Sequence, residues 1–336
     1  MNELVLTANA GDGTISALFL DRAQGRLVTL ATSGQLPGCG TFAVDQATGL
    51  VYAAYKGDPA GIATLRLDRA SGELAEVRRR PAGGSLTYLS LAHEGRFLLG
   101  VSYAAGHAWV WPVTDGVIGE PVGEFSYRNL HCIVVDGTCV YAVSLGEDLI
   151  AQFTLSAQGV LAPMEPLVAE APRGSGPRHL ILDGANAYLV TEFSGEVIRY
   201  ARSADGPLTR AEAVDVVVPD SGLAPSAYGL DPKTEPLIWG ADVHRAGPWL
   251  LSSERSSSII TSTALGEGGT LGEPTAYTPT EAQPRGFAVT ADGEYAVAVG
   301  ERSTHAALSR VEADGSLTLL DRAPIGAAAN WVRILP

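Results

Sequence analysis

Apolar residues along this chain come in short runs of roughly four to eight, often alternating with polar ones, and each run stops at Gly, Asp, Asn or Ser. Runs of this kind read as short β-strands joined by tight turns. No helix-period segment longer than a turn or two interrupts them. The pattern also repeats. One unit is SLTYLSLAHEGRFLLGVSYAAGHAWVWPVTDGVIGEPVGEF, starting at Ser85, and another is PRGFAVTADGEYAVAVGERSTHAALSRVEADGSLTLLDRA, starting at Pro284. They superpose strand for strand: an apolar strand, a Gly or Asp turn, a second strand, a Gly/Ser loop, a third strand, a turn and a fourth.

A four-stranded repeat of about 45 residues is the signature of a propeller blade. Taking the first residues of each innermost strand as anchors gives Thr41, Thr87, His131, Arg178, Asp242, Arg285 and Asn330, separated by 46, 44, 47, 64, 43 and 45 residues. The long spacing contains VVVPDSGLAPSAYGLDPKTEPLIWG, a Pro- and Gly-rich segment around residues 217–240 that reads as an insertion between two blades. The last anchor is followed only by WVRILP, whereas the N-terminus supplies three strands without a blade: ELVLTANA, TISALFLD and RLVTLATS. The expectation is therefore an all-β, seven-bladed propeller spanning residues 1–336 as one domain, its last blade closed by both chain termini. Such closure pairs both terminal strands and limits exposed edges.

Propeller geometry decides where chemistry can sit. Innermost strands begin on one face of the disc, and the loops after the second strands open on the same face. Every anchor is polar although apolar residues follow it, so a polar ring at the channel mouth is expected. The second-strand loops add Lys56, Tyr103, Glu192, Glu254, Arg255, Glu301 and Arg302. Arginines can grip an anion through fork-shaped, charge-assisted hydrogen bonds while a His or Glu moves protons. His131, Glu192 and Arg178 are the expected catalytic group; Arg285, Arg255, Tyr103, Asp242, Thr87, Lys56 and Arg302 are the expected substrate contacts. His93 falls in a turn of the opposite face, and His107 and His305 near third strands. Strand alternation places His179 and His244 between blades, as packed residues.

Composition narrows the partners. With 37 acidic against 23 basic residues the net charge is −14, which disfavours nucleic acid and anionic membranes. An anionic ligand must therefore find a locally basic pocket. The basic residues are nearly all Arg, Lys56 and Lys233 being the only lysines. No stretch approaches the about 20 apolar residues of a membrane span, and MNELVLTANA has no leader pattern, so a cytoplasmic protein is expected. Cys39, Cys132 and Cys139 are odd in number and lack ligand spacing, arguing against a disulfide framework or a zinc site. Asp242 and Glu192 are the best carboxylates for a hard cation, but Arg178 and Arg285 would compete for them, so a catalytic metal is not expected.

Four segments carry a family resemblance: GSLTYLSLAHEGRFLLGVSYAAG at 84–106, GSGPRHLIL at 174–182, TEFSG at 191–195 and TEAQPRGFAVTADGEYAVAVG at 280–300. With these the chain resembles the β-propeller lactonases of the cytoplasmic 6-phosphogluconolactonase type, related to carboxy-muconate lactonizing enzymes and aldarate lactonases. The resemblance implies a cofactor-free site at the channel mouth. It also implies a histidine and a glutamate as proton-transfer residues, matching His131 and Glu192, with arginines matching Arg178 and Arg255 or Arg285. The sequence departs from the family around NLHC at 129–132 and in the length of the 217–240 segment, both of which touch the expected pocket. The expected activity is hydrolysis of an anionic sugar-acid δ-lactone, 6-phosphogluconolactone first. Galactaro- or glucaro-lactone hydrolysis, muconate cycloisomerisation and a non-enzymatic scaffold are the alternatives. The expected partner is the small lactone alone, bound by a monomer or weak homodimer.

Overall fold

In the computed structural model, which describes residues 3–336, seven antiparallel sheets follow one another along the chain. The innermost strands are Phe42–Asp45, Tyr88–Ala92, Leu130–Asp136, Pro177–Asp183, Gly240–Ala246, Pro284–Val289 and Ala329–Leu335, in blades 1 to 7. Every expected anchor lies in, or one residue ahead of, one of these strands. Six sheets have four strands; in blade 2 the outer edge is split between Val117–Ile118 and Gly123–Ser126, both paired to His107–Thr114.

Blade 7 is assembled from both ends of the chain. Its innermost strand, Ala329–Leu335, pairs antiparallel with Glu3–Asn9, which is followed by Thr14–Asp21 and Arg26–Ser33. Trp331 links this blade to the next: its indole Nε1 donates to the Phe42 carbonyl at 3.1 Å.

A strand alternates its side chains between two faces, and here both faces of the inner strands are covered by neighbouring blades. The second strands accordingly read as continuous apolar runs, such as LVYAAY at 50–55 and CVYAVS at 139–144, buried throughout. A separate apolar cluster fills each of the seven junctions. Phe42 and Val51 meet Leu6 and Trp331 between blades 1 and 7, while Tyr188 and Val190 meet Val243 and Leu250 between blades 4 and 5. The outer strands alternate strongly and face solvent on their outer sides.

The 217–240 segment leaves the outer strand of blade 4, crosses the disc face and returns to Gly240. Its far end is packed, with Trp239 buried and Ser226 donating to the Ile238 carbonyl at 2.5 Å. The Trp239 indole Nε1 also donates to the Glu235 carbonyl at 2.9 Å.

Candidate active site

In five blades the innermost strand begins with a β-bulge, and the anchor residue sits in it. The register skips across His131, Arg178, Arg285 and Asn330, and across Ala241 with Asp242. A bulge releases one residue from the ladder and re-aims its side chain. Two residues ahead of four of these anchors the backbone enters the left-handed region, at Asn129 (φ 52°), Gly176 (φ 64°), Gln283 (φ 55°) and Ala328 (φ 53°). Gln283 and Ala328 hold this conformation without the freedom of glycine, a strain that clusters at functional sites.

The re-aimed side chains converge on a cavity of about 710 Å³ at the channel mouth. Of the expected residues, His131, Arg178, Glu192, Arg255 and Arg285 line it, together with Lys56, Thr87 and Tyr103. Glu192 is the hub: its Oε2 accepts from Arg178 Nε at 2.8 Å, and its Oε1 lies 2.9 Å from Arg255 Nη2. Both arginine side chains are 1% exposed, whereas that of Arg285 is 32% exposed and pairs through Nη1 with Glu301 Oε1 at 3.1 Å. Arg285 is thus the most open of the three guanidiniums to an incoming ligand. Thr87 Oγ1 accepts from the Tyr103 amide at 3.0 Å, and the Tyr103 ring stands edge-on to His131, centroids 6.0 Å apart.

This crowding sets the protonation states. Burial disfavours the imidazolium of His131, and the charges of Arg178, Arg285 and Arg255 add to that effect, so its pKa falls well below the usual histidine range. His131 is therefore neutral at neutral pH, and its buried Nδ1 has no hydrogen-bond partner among the described residues. Burial pushes the Glu192 carboxyl up, but Arg255, Arg178 and Arg285 outweigh it and hold the group below the usual carboxylate range. Burial together with Glu192 pushes the Tyr103 phenol up to about 12, keeping it protonated.

Two expected contacts are displaced. Asp242 lies beneath the lining: its Oδ1 meets His179 Nδ1 at 2.8 Å, its Oδ2 meets His244 Nε2 at 3.3 Å, and it accepts from the Val243 and Phe287 amides. Its bulge contains two residues, and its carboxylate bridges His179 of blade 4 and the Phe287 amide of blade 6. Arg302 does not line the cavity either; its guanidinium donates to the Lys233 carbonyl and braces the inter-blade segment.

Conversely, His179 is not merely packed between blades. The bulge at Arg178 brings the two consecutive side chains to one side, and His179 lines the cavity with its ring centroid 5.1 Å from that of His131. Strict alternation concealed it. Lys233 and Glu301 also line the cavity. Glu301 was legible as a second-strand loop residue, whereas nothing in the sequence placed Lys233, since the insertion has no counterpart in the other blades. His107 is taken up by Glu124 and Ser126, away from the cavity. Among the described residues, no three imidazoles, thiols and carboxylates group as a metal-ligand set.

A 6-phosphogluconolactonase of Serratia proteamaculans is 32% identical over 286 residues, covering 82% of each chain. One from Cronobacter sakazakii is 31% identical over 281 residues, covering 81% of each. Among solved structures, the periplasmic gluconolactonase of Pseudomonas aeruginosa superposes with a TM-score of 0.87 at 22% identity, covering 100% of this chain and 99% of that one. A Lactobacillus plantarum protein superposes equally, TM-score 0.87 at 20% identity, over 100% of both chains; likenesses this distant speak for the fold. Residues 5–334 match the lactonase, 7-bladed beta-propeller family, and with its seven blades closed by both termini this chain belongs to that family.

Proposed function

We propose that the cavity opens an anionic sugar-acid δ-lactone by water attack, in the manner of a 6-phosphogluconolactonase. The observation that carries this reading is the convergence of a buried neutral imidazole, His131, with three guanidiniums in one cavity. The relatives in Serratia and Cronobacter, named 6-phosphogluconolactonases, support the substrate class.

The roles follow from the geometry. Both Glu192 oxygens are occupied by Arg178 and Arg255, so Glu192 is spent as a base and instead fixes the two guanidiniums. Of the two neutral imidazoles lining the cavity, His179 is held by Asp242 and Arg178, whereas His131 Nδ1 has no partner among the described residues and is the group assigned to accept a proton. It takes one from the attacking water as the C–O bond forms at the lactone carbonyl, whose oxygen gathers charge facing Arg285 and Arg178. When the tetrahedral intermediate collapses, the ring C–O bond breaks, and the imidazolium returns the proton to the departing alkoxide. Guanidiniums already held in place stabilise that charge without reorganising as it develops.

An anionic substrate also retunes the base. The arginine charges help to depress the His131 pKa, so an anion that neutralises part of their field raises it toward the range where histidine works as a base. Binding and activation are coupled in this way.

The three cysteines, free and buried, suit a reducing compartment, and the cytoplasm is the proposed location. The deciding experiment is a lactone panel assayed at neutral pH against the spontaneous rate, because δ-lactones open in water unaided. Acceleration of 6-phosphogluconolactone above that background supports the reading; rates at background for every lactone refute it.

A further inference from the structure

The chain has two lysines among its 23 basic residues, and both line the same cavity. Lys56 comes from blade 1, where its stem packs across Gly38: a Cβ placed on that glycine would come within 2.9 Å of the lysine Cδ. Gly38 is itself in the left-handed region, φ 60°, so the stem is held against a turn with no side chain to displace it. Lys233 comes from the other side, on the 217–240 segment. Two contacts hold that segment over the mouth, Gln283 Nε2 donating to the Pro232 carbonyl at 2.7 Å and Arg302 donating to the Lys233 carbonyl, and within the segment Asp231 Oδ1 accepts from the Lys233 amide at 2.9 Å. The residue whose backbone is held at both its amide and its carbonyl is the one that lines the cavity.

The charge of the lining points the same way. Five cationic side chains (Lys56, Arg178, Lys233, Arg255 and Arg285) face three anionic ones (Glu192, Asp231 and Glu301), leaving two positive charges in a chain of net −14. The arginines are already paired, Arg178 and Arg255 with Glu192 and Arg285 with Glu301. Neither lysine ammonium has a carboxylate within ion-pairing distance among the described residues, although the charge of Lys233 is felt at Glu301. Three guanidiniums share two carboxylates, so one surplus charge lies in the arginine cluster; the other lies at the rim, where two lysines stand against the single carboxylate of Asp231.

We propose that Lys56 and Lys233 form a second anion subsite at the cavity rim, separate from the arginine cluster, that takes the terminal phosphate of a phosphorylated sugar lactone. A lysine serves phosphate as a mobile point charge, whereas planar carboxylate recognition favours the arginine fork. A phosphate dianion matches the two surplus charges of the cavity as a whole, and a single carboxylate does not. Arg302 is a positioning residue, acting through the Lys233 backbone. This inference rests on the lactonase reading of the same cavity and adds which group distinguishes one lactone from another.

The test compares phosphorylated and unphosphorylated partners. For Lys56→Ala and Lys233→Ala the ratio of kcat/KM for 6-phosphogluconolactone over glucono-δ-lactone should fall at least about tenfold each, through KM, since one charged hydrogen bond is at stake. Arg302→Ala should lower the same ratio less, with kcat on the phosphorylated lactone unchanged, and Lys233→Arg should restore part of it. Calorimetric binding of 6-phosphogluconate against gluconate gives a readout independent of turnover. If the parent accelerates neither lactone yet binds 6-phosphogluconate more tightly, with the preference lost in Lys233→Ala, the lactonase reading fails and the subsite stands. An unchanged ratio, with no preference for 6-phosphogluconate, overturns the subsite and leaves the lactonase reading intact.

Discussion

His179 Nδ1 lies 2.8 Å from Asp242 Oδ1 although the two residues belong to adjacent blades and stand 63 positions apart. The contact fixes the tautomer: Nδ1–H donates to the carboxylate, and Nε2 keeps its lone pair, 3.4 Å from Arg178 Nη1. Tyr88 and Trp331 stand edge-on to the ring, centroids 5.5 Å and 5.8 Å away, so its plane is fixed as well. Asp242 thereby orients one wall of the cavity from below.

Asp242→Asn should remove this orientation. An amide offers only one acceptor oxygen where Asp242 meets two imidazoles and two backbone N–H groups. The expected cost is about 1–3 kcal/mol of stability from the polar groups left unmatched. Thermal unfolding checks the stability loss, and nitrogen NMR should show His179 passing from one Nδ1–H tautomer to a mixture.

His131→Ala should lower kcat by about 10²–10⁴-fold, the usual contribution of a positioned proton-transfer group. Glu192→Gln should also lower kcat, because it frees Arg178 and Arg255 from their common partner. The double variant should lose less than the product of the single effects if the two residues serve one step. Steady-state kinetics on the best lactone, with circular dichroism confirming folding, decides this; full kcat in His131→Ala removes that residue from the chemistry.

Arg285→Lys keeps the charge but loses the fork. With its side chain one third exposed and one ion pair to Glu301, the change should leave the melting temperature nearly unaltered. It should lower kcat/KM for the anionic lactone by about tenfold or more, and unchanged kinetics would exclude Arg285 from ligand contact.

Stability should fall as the medium is acidified from about pH 6.5 toward 4. Burial and the neighbouring Arg178 push the His179 pKa down to about 4, and His131 is likewise depressed. Below pH 6.5 the unfolded chain therefore takes up protons that the folded one refuses, and the stability fully present above that pH is progressively lost. Urea midpoints between pH 7.5 and 4.5 test this, and the decline should be shallower in His179→Gln.

Trp331→Ala should weaken ring closure. The indole is 3% exposed, packs in the cluster joining blades 7 and 1, and donates to Phe42. Truncating a buried Trp of this kind costs about 3–5 kcal/mol. Denaturant unfolding measures it, and a loss confined to a few tenths would mean that the closing contact is dispensable.

Blade number, blade boundaries, terminal closure and the polar ring were legible in the sequence because a propeller is built from local units. Each blade is a meander of neighbouring strands, and its turns and apolar runs are written consecutively. Glu192, Arg178 and Arg285 could be placed because their positions in the repeat fix their face of the disc. What lay beyond the sequence was set by departures from the regular period. The bulges turned Arg178 and His179 to one side and sent Asp242 beneath the lining, an effect one residue in size that alternation cannot anticipate. The path of residues 217–240, and with it the place of Lys233 and the bracing role of Arg302, depended on contacts between blades 4, 5 and 6. A non-repeating loop is steered by the surface it lands on, and that surface exists only once the disc has closed.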